Sequence, residues 1–281
     1  MISPDWCKLD YVHPYIHEQK HMRDVLTEPG EFEVPSAIRC NSTEGDAAPV
    51  ATSASPDSYQ SVFNLLRAAL MECAPPAVTK AVVVHRRFTQ ACVAAHEDLD
   101  AFLSKDPAQR GSAVITLTGS TSYKAILHYR LAHALIAIGN AGEFAFNELE
   151  AYAALVSSRG KLLSGAEIHP RCEIGRRFVL DHGWGSVIGE TSVIGHDCYM
   201  LGGVTLGAAG IANNPSARRH PSLGDRVQIG AFARIFGNIQ IGNNVFIGTH
   251  CCITQDIPSD SIVTLRSETQ VVRGGNAAKC V

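Results

Sequence analysis

The sequence predicts an α+β protein: an N-terminal α-helical domain followed by a parallel β-helix built from six-residue repeats. Three observations carry that expectation. From Ile168 onward an Ile, Leu or Met opens each block of six residues, usually followed by Gly or another small residue, and the register holds over some thirteen blocks. A period of six fits neither the three-to-four spacing of a helix nor the alternation of a strand, and a fixed short period marks a solenoid. Before Gly165, apolar residues recur instead at helical spacing.

Bulk properties set the outer limits. The chain has 281 residues, 46% of them hydrophobic, and a net charge of −3. That charge argues against a nucleic-acid or membrane-surface role. The start, MISPDWCKLD, lacks a secretory signal pattern, and no span reads as a membrane helix: Ala125 to Phe146 is broken by His128, Arg130, His133 and Glu143. Nine cysteines without a CxxC pair suggest reduced thiols and a cytoplasmic location.

Residues 1–57 read as an N-terminal extension ending in a linker, because NSTEGDAAPVATSASPDS buries too little apolar surface to fix a structure. Residues 58–163 read as the helical domain. One helix runs from Ser58 to Ala74 and stops before Pro75-Pro76. A second spans Ala81 to Asp106 and stops before Pro107, a third Ser120 to Asn140, and a fourth Ala141 to Gly160.

Residues 164–265 form the β-helix domain and 266–281 a tail. Each block supplies one short strand and one corner, with its leading aliphatic turned inward, and three blocks close a triangular coil. Two departures interrupt the register: two extra residues, Ser186 and Val187, just after Asp181-His182, and an excursion over residues 207–222 carrying Arg218-Arg219-His220. A regular β-helix has no pocket, so chemistry is expected at these departures. His182 titrates near neutrality and can take a proton from an alcohol. Arg219 can grip a carboxylate through two parallel hydrogen bonds. Glu167 stands fifteen residues before His182, less than one coil, so repeat arithmetic alone does not bring them together. Neither His13, His17 and His21 nor His250, Cys251 and Cys252 reads as a metal site: Pro14 interrupts the first set, and adjacent strand residues face opposite sides in the second.

From about Ser58 the chain resembles the serine acetyltransferases of the hexapeptide-repeat acyltransferase superfamily. The motifs are KDPA at 105–108, Tyr129-Arg130 with His133, EIHP at 167–170 leading to LDHG at 180–183, VIGET at 187–191, GVTLG at 203–207 and RHP at 219–221. The resemblance implies a left-handed β-helix, trimers with sites between subunits, and trimers paired through the helical domains. It implies acetyl transfer from acetyl-CoA to L-serine by direct attack, with no bound cofactor and no metal. His182 inherits the role of general base and Glu167 that of its acidic partner. Asp106, Asp181, Arg219 and His220 would hold the serine ammonium and carboxylate. Gly207, Ala208, Ala231 and Thr249 would contact the acyl donor, with backbone amides near Gly207 at the oxyanion. The resemblance also points to a sulfhydrylase partner for the tail, which here ends in Val281 where the family has Ile.

The donor side departs from the family. The loop GAAGI lacks a lysine, Phe232 and His250 stand where small residues are usual, and LRSETQ replaces the closing GxPA turn. Those departures leave two other readings open: a divergent acyltransferase with another donor or another small amino-acid alcohol, and a non-catalytic binding or assembly protein.

Overall fold

A computed structural model describes residues 56–266, apart from Glu143 and Ala145. The expectations placed on residues 1–55 and on the tail from 267, including His13, His17, His21 and Val281, lie outside the described residues.

Among the described residues six α-helices precede the strands: α1 (Pro56–Cys73), α2 (Pro76–Val83), α3 (Arg86–Lys105), α4 (Ala113–Gly119), α5 (Thr121–Asn140) and α6 (Phe146–Ser164). The second expected helix is two. The break falls at His85, whose ring accepts the backbone N–H of Arg87 and caps α3. Proline does not merely end α1. Pro76 opens α2, where its missing N–H costs nothing. The fourth expected helix starts later and runs through Gly160 to Ser164. Gly160 is there for contact: a β-carbon would come within 2.7 Å of the His128 side chain. The short α4 escaped the periodicity because seven residues hold too few repeats.

Among the described residues fourteen short strands follow, all paired in parallel: β1 (Glu167–Ile168), β2 (Glu173–Ile174), β3 (Val179–Leu180), β4 (Val187–Ile188), β5 (Val193–Ile194), β6 (Tyr199–Met200), β7 (Thr205–Gly207), β8 (Ser222–Leu223), β9 (Gln228–Ile229), β10 (Arg234–Phe236), β11 (Gln240–Ile241), β12 (Phe246–Ile247), β13 (Cys252–Ile253) and β14 (Ile262–Val263). They stack into three faces, β1-β4-β7-β10-β13, β2-β5-β8-β11 and β3-β6-β9-β12-β14, called here A, B and C. In the coil interior the aliphatic rows Ile168, Ile188, Leu206, Ile235, Ile253 and Leu180, Met200, Ile229, Ile247 are buried, one residue per coil. Most corners take four residues, such as 189–192 between β4 (Val187–Ile188) and β5 (Val193–Ile194). The corner between β3 (Val179–Leu180) and β4 takes residues 181–186, so the two extra residues are absorbed around Asp181-His182 and Val187 is a strand residue.

The helices cap the first coil. One apolar core runs unbroken from Val62 in α1 to Ile253 in β13 (Cys252–Ile253). Polar groups reinforce the junction. The Tyr129 hydroxyl donates to the Cys172 carbonyl at 2.9 Å and accepts the Ile174 N–H at 3.0 Å. Asp98 and Arg130, both buried, form an ion pair, and Arg130 also donates to the carbonyls of Ile174 and Gly175.

Candidate active site

The expected site residues fall into two groups on two edges of the prism, with face A between them.

The first group lies at the edge between faces C and A and on face C beside it. His182 sits in the left-handed region at φ 52, and its side chain is 84% exposed. Its Nε2 is 3.7 Å from Asp181 Oδ1. The other Asp181 oxygen accepts a hydrogen bond from the Tyr199 hydroxyl at 2.8 Å. Burial and the neighbouring carboxylates of Asp181 and Asp106 push the Tyr199 phenol above its usual value, so it remains a donor. Asp106 is buried and occupied: Oδ1 accepts the Ala108 N–H and Oδ2 the Gln109 side-chain amide. Ser122 accepts the Gly183 N–H at 3.0 Å, tying the His182 corner to α5. Counted from the preceding strand, His182, Gly202, Ala231 and Thr249 take the same place in four successive coils. Beside them Phe232 and His250 stack face to face, centroids 5.4 Å apart and planes 8° from parallel. Both adopt positive φ, 59 and 62, and Phe232 stays about half exposed. The flat ring lies over Gly203, where a β-carbon would come within 2.3 Å of it. Asn or Asp suits such a corner; a phenylalanine there is strained.

The second group lies at the edge between faces A and B. The Arg219 guanidinium pairs with Glu190, which in turn lies 3.9 Å from Arg171, itself paired with Glu150 of α6. Thr191 pins the Arg219-His220 backbone. Its hydroxyl accepts both N–H groups, at 3.0 and 3.2 Å, while its own N–H donates to His220 Nδ1 at 3.1 Å. The His220 ring lies over Gly189, and burial followed by the Arg219 charge lowers its basicity, keeping it neutral near pH 7. The Arg219 hydrogen bond holds the Glu190 carboxyl below its usual value. Gly207 and Ala208 continue this edge above Gly189. Glu167 lies on face A between the two edges: its N–H donates to the Ser186 carbonyl at 2.9 Å, and its carboxylate pairs with Lys161 at 2.5 Å.

A single chain therefore brings His182, Asp181 and Asp106 to one edge and Arg219 and His220 to the other. No hydrogen bond or ion pair among the described residues joins Glu167 to His182, and Gly207 and Ala208 lie on a different edge from Ala231 and Thr249. Tyr199, Glu190, Thr191 and Ser122 were missed as site residues. Glu190 and Thr191 fall inside VIGET at 187–191, but neither Tyr199 nor Ser122 carries any signal in the sequence. Among the described residues, no group of three His, Cys, Asp or Glu side chains could hold a metal ion, and no helix is long and apolar enough to cross a membrane.

A helix-capped β-helix of six-residue repeats, with an exposed histidine beside an aspartate on one edge, is the architecture of the hexapeptide-repeat transferases. The family described as bacterial transferase hexapeptide (six repeats) matches residues 220–255. The serine acetyltransferase of Helicobacter pylori is 40% identical over 163 residues, covering 58% of this chain and 88% of that one. That of Synechococcus elongatus is 38% identical over 166 residues, covering 59% of this chain and 63% of the relative, so less than two thirds of that relative is matched. The crystal structure of serine acetyltransferase isoform 3 from Entamoeba histolytica, in complex with cysteine, superposes with a TM-score of 0.60 at 32% identity, over 78% of this chain and 73% of that one. The chain belongs to the serine acetyltransferase family, and its β-helix is the left-handed one of that family.

Proposed function

We propose that the protein transfers the acetyl group of acetyl-CoA to the hydroxyl of L-serine, giving O-acetyl-L-serine for cysteine synthesis, with acetyl-CoA as co-substrate. The observation that carries this reading is His182, exposed and beside the Asp181 carboxylate, in a chain of this family. His182 takes the hydroxyl proton as the serine oxygen attacks the thioester carbonyl directly. A C–O bond forms, the C–S bond breaks, and the leaving thiolate recovers the proton from the imidazolium.

The separation of the two groups implies a homo-oligomer. The Arg219 edge of one copy meets the His182 edge of the next, and three such contacts close a trimer. Arg219 and His220 then receive the serine carboxylate, Asp181 and Asp106 face the ammonium, and Glu167 of the adjoining copy steadies the imidazolium. Backbone amides near Gly207 would face the oxyanion. Gly207 and Ala208 from one copy, with Ala231 and Thr249 from the other, would line the donor path. Exposed Val114, Leu162 and Leu163 on the helical domain support pairing of trimers there. All six described cysteines are free thiols, in keeping with the cytoplasm. Capture of a cysteine-forming sulfhydrylase by the tail ending in Val281 belongs to the same reading. Equal retention of that enzyme by the full and tail-deleted chains would remove it.

The test is thiol release from acetyl-CoA with and without L-serine, beside His182→Ala. Serine-dependent release that the variant lowers at least about a hundredfold supports the reading. Full activity in the variant refutes the mechanism. The Phe232–His250 stack favours a second reading, in which the same chemistry uses another acyl donor. A panel of acyl-CoA thioesters decides between them, and absence of any CoA binding would leave a non-catalytic role.

A further inference from the structure

The hydrogen bond from Tyr199 to Asp181 has a geometric consequence for the acceptor. The Tyr199 hydroxyl occupies Asp181 Oδ2 and leaves Oδ1 turned toward His182, 3.7 Å from Nε2. In the gauche rotamer of a 1,2-amino alcohol the nitrogen and oxygen lie about 2.9 Å apart. An ammonium on Oδ1 and a hydroxyl on Nε2, each at about 2.8 Å, close a four-sided figure with that spacing. An added methylene puts one more torsion between the two atoms and lets their separation run from about 3 to about 5 Å, so a longer acceptor must freeze an extra rotor to match the pair. The Tyr199 ring is half-buried on face C, and no other hydrogen bond from a described side chain holds Asp181. We propose that Tyr199 is a positioning residue that sets acceptor specificity, fixing Asp181 so that its free oxygen and His182 together span a 1,2-amino alcohol. This rests on the acyl transfer proposed above.

The experiment compares the full-length protein with Tyr199→Phe, using acetyl-CoA and two acceptors, L-serine and L-homoserine. The variant is expected to raise the KM for serine about tenfold with kcat nearly unchanged, as loss of one hydrogen bond to a charged group allows. The serine-to-homoserine ratio of kcat/KM is expected to fall by a similar factor. In an Asp181→Asn background the Tyr199 change should add nothing. Melting temperature reports folding. An unchanged acceptor ratio and serine KM overturn the proposal, as does an equal loss for both acceptors with lowered melting, which marks a purely structural tyrosine. Should the wild type acetylate serine through His182 while Tyr199→Phe behaves identically, only this inference falls. Should the wild type acetylate neither acceptor, the parent reading falls and takes this one with it.

Discussion

Arg130 grips Asp98 with two hydrogen bonds, Nε to Oδ2 at 2.8 Å and Nη2 to Oδ1 at 3.0 Å, in a site closed to water. The same Asp98 oxygen accepts the Phe178 N–H at 2.9 Å. One ion pair thus serves α3, α5 and the first β-helix coil at once.

Removing one member leaves a buried charge without its partner. Asp98→Ala is expected to cost about 3–5 kcal/mol of unfolding free energy, whereas replacing both residues by apolar ones of similar volume should cost far less. Urea unfolding of the single and double variants checks this. Equal losses would mean that the packing, not the charge, matters.

If neighbouring copies complete each site, two dead variants should repair one another. His182→Ala and Arg219→Ala, co-expressed, are expected to regain activity at roughly a quarter of the sites under random trimer assembly. Activity no higher than that of either variant alone would place both groups within one chain's own site.

Thr191→Val keeps the shape of the side chain and removes the oxygen that accepts the Arg219 and His220 N–H groups. The KM for serine should rise about tenfold, with the KM for acetyl-CoA nearly unchanged. Parallel rises in both would assign Thr191 to folding alone.

Acid should weaken the Arg219 edge in two stages. His220 binds its proton less readily when folded, so the unfolded chain takes up more protons below the ordinary 6.5, and stability falls as pH drops through that range. Glu190 has a depressed folded value, so its contribution is present above the ordinary 4.5 and is lost as pH falls through the folded value. Denaturant midpoints from pH 7.5 to 3.5 should fall less steeply in Glu190→Gln below pH 4.5. An identical slope would mean that the Arg219 pair contributes nothing to stability.

Repeat register was the most legible feature. The row from Ile168 to Ile253 announced which residues face inward and which start each strand, because burial recurs once per block. Register does not bring Glu167 to His182 by itself, and within one chain no hydrogen bond or ion pair joins their side chains. Helix ends were less legible. Gly160 reads as a stop by propensity, yet it sits mid-helix because the His128 ring needs the space. Nothing in the run Ala81–His85 announced a break, since the cap depends on which way one imidazole turns. Tyr199 was invisible as a site residue because its partner lies one coil below, and a strand pattern specifies which face a side chain takes but not what it meets there.

The helical cap gives the solenoid a direction. The coil holding Asp181 and His182 is sealed by helices beneath and by a second coil above, whereas the last described coil, ending in β14 (Ile262–Val263), has strand neighbours on one side only. Native-state hydrogen exchange should therefore be slowest around Val179–Leu180 and quicken toward Ile262, so that thermal fraying is spent far from the histidine. Such a polarity keeps the chemistry in the coil that is held from both sides.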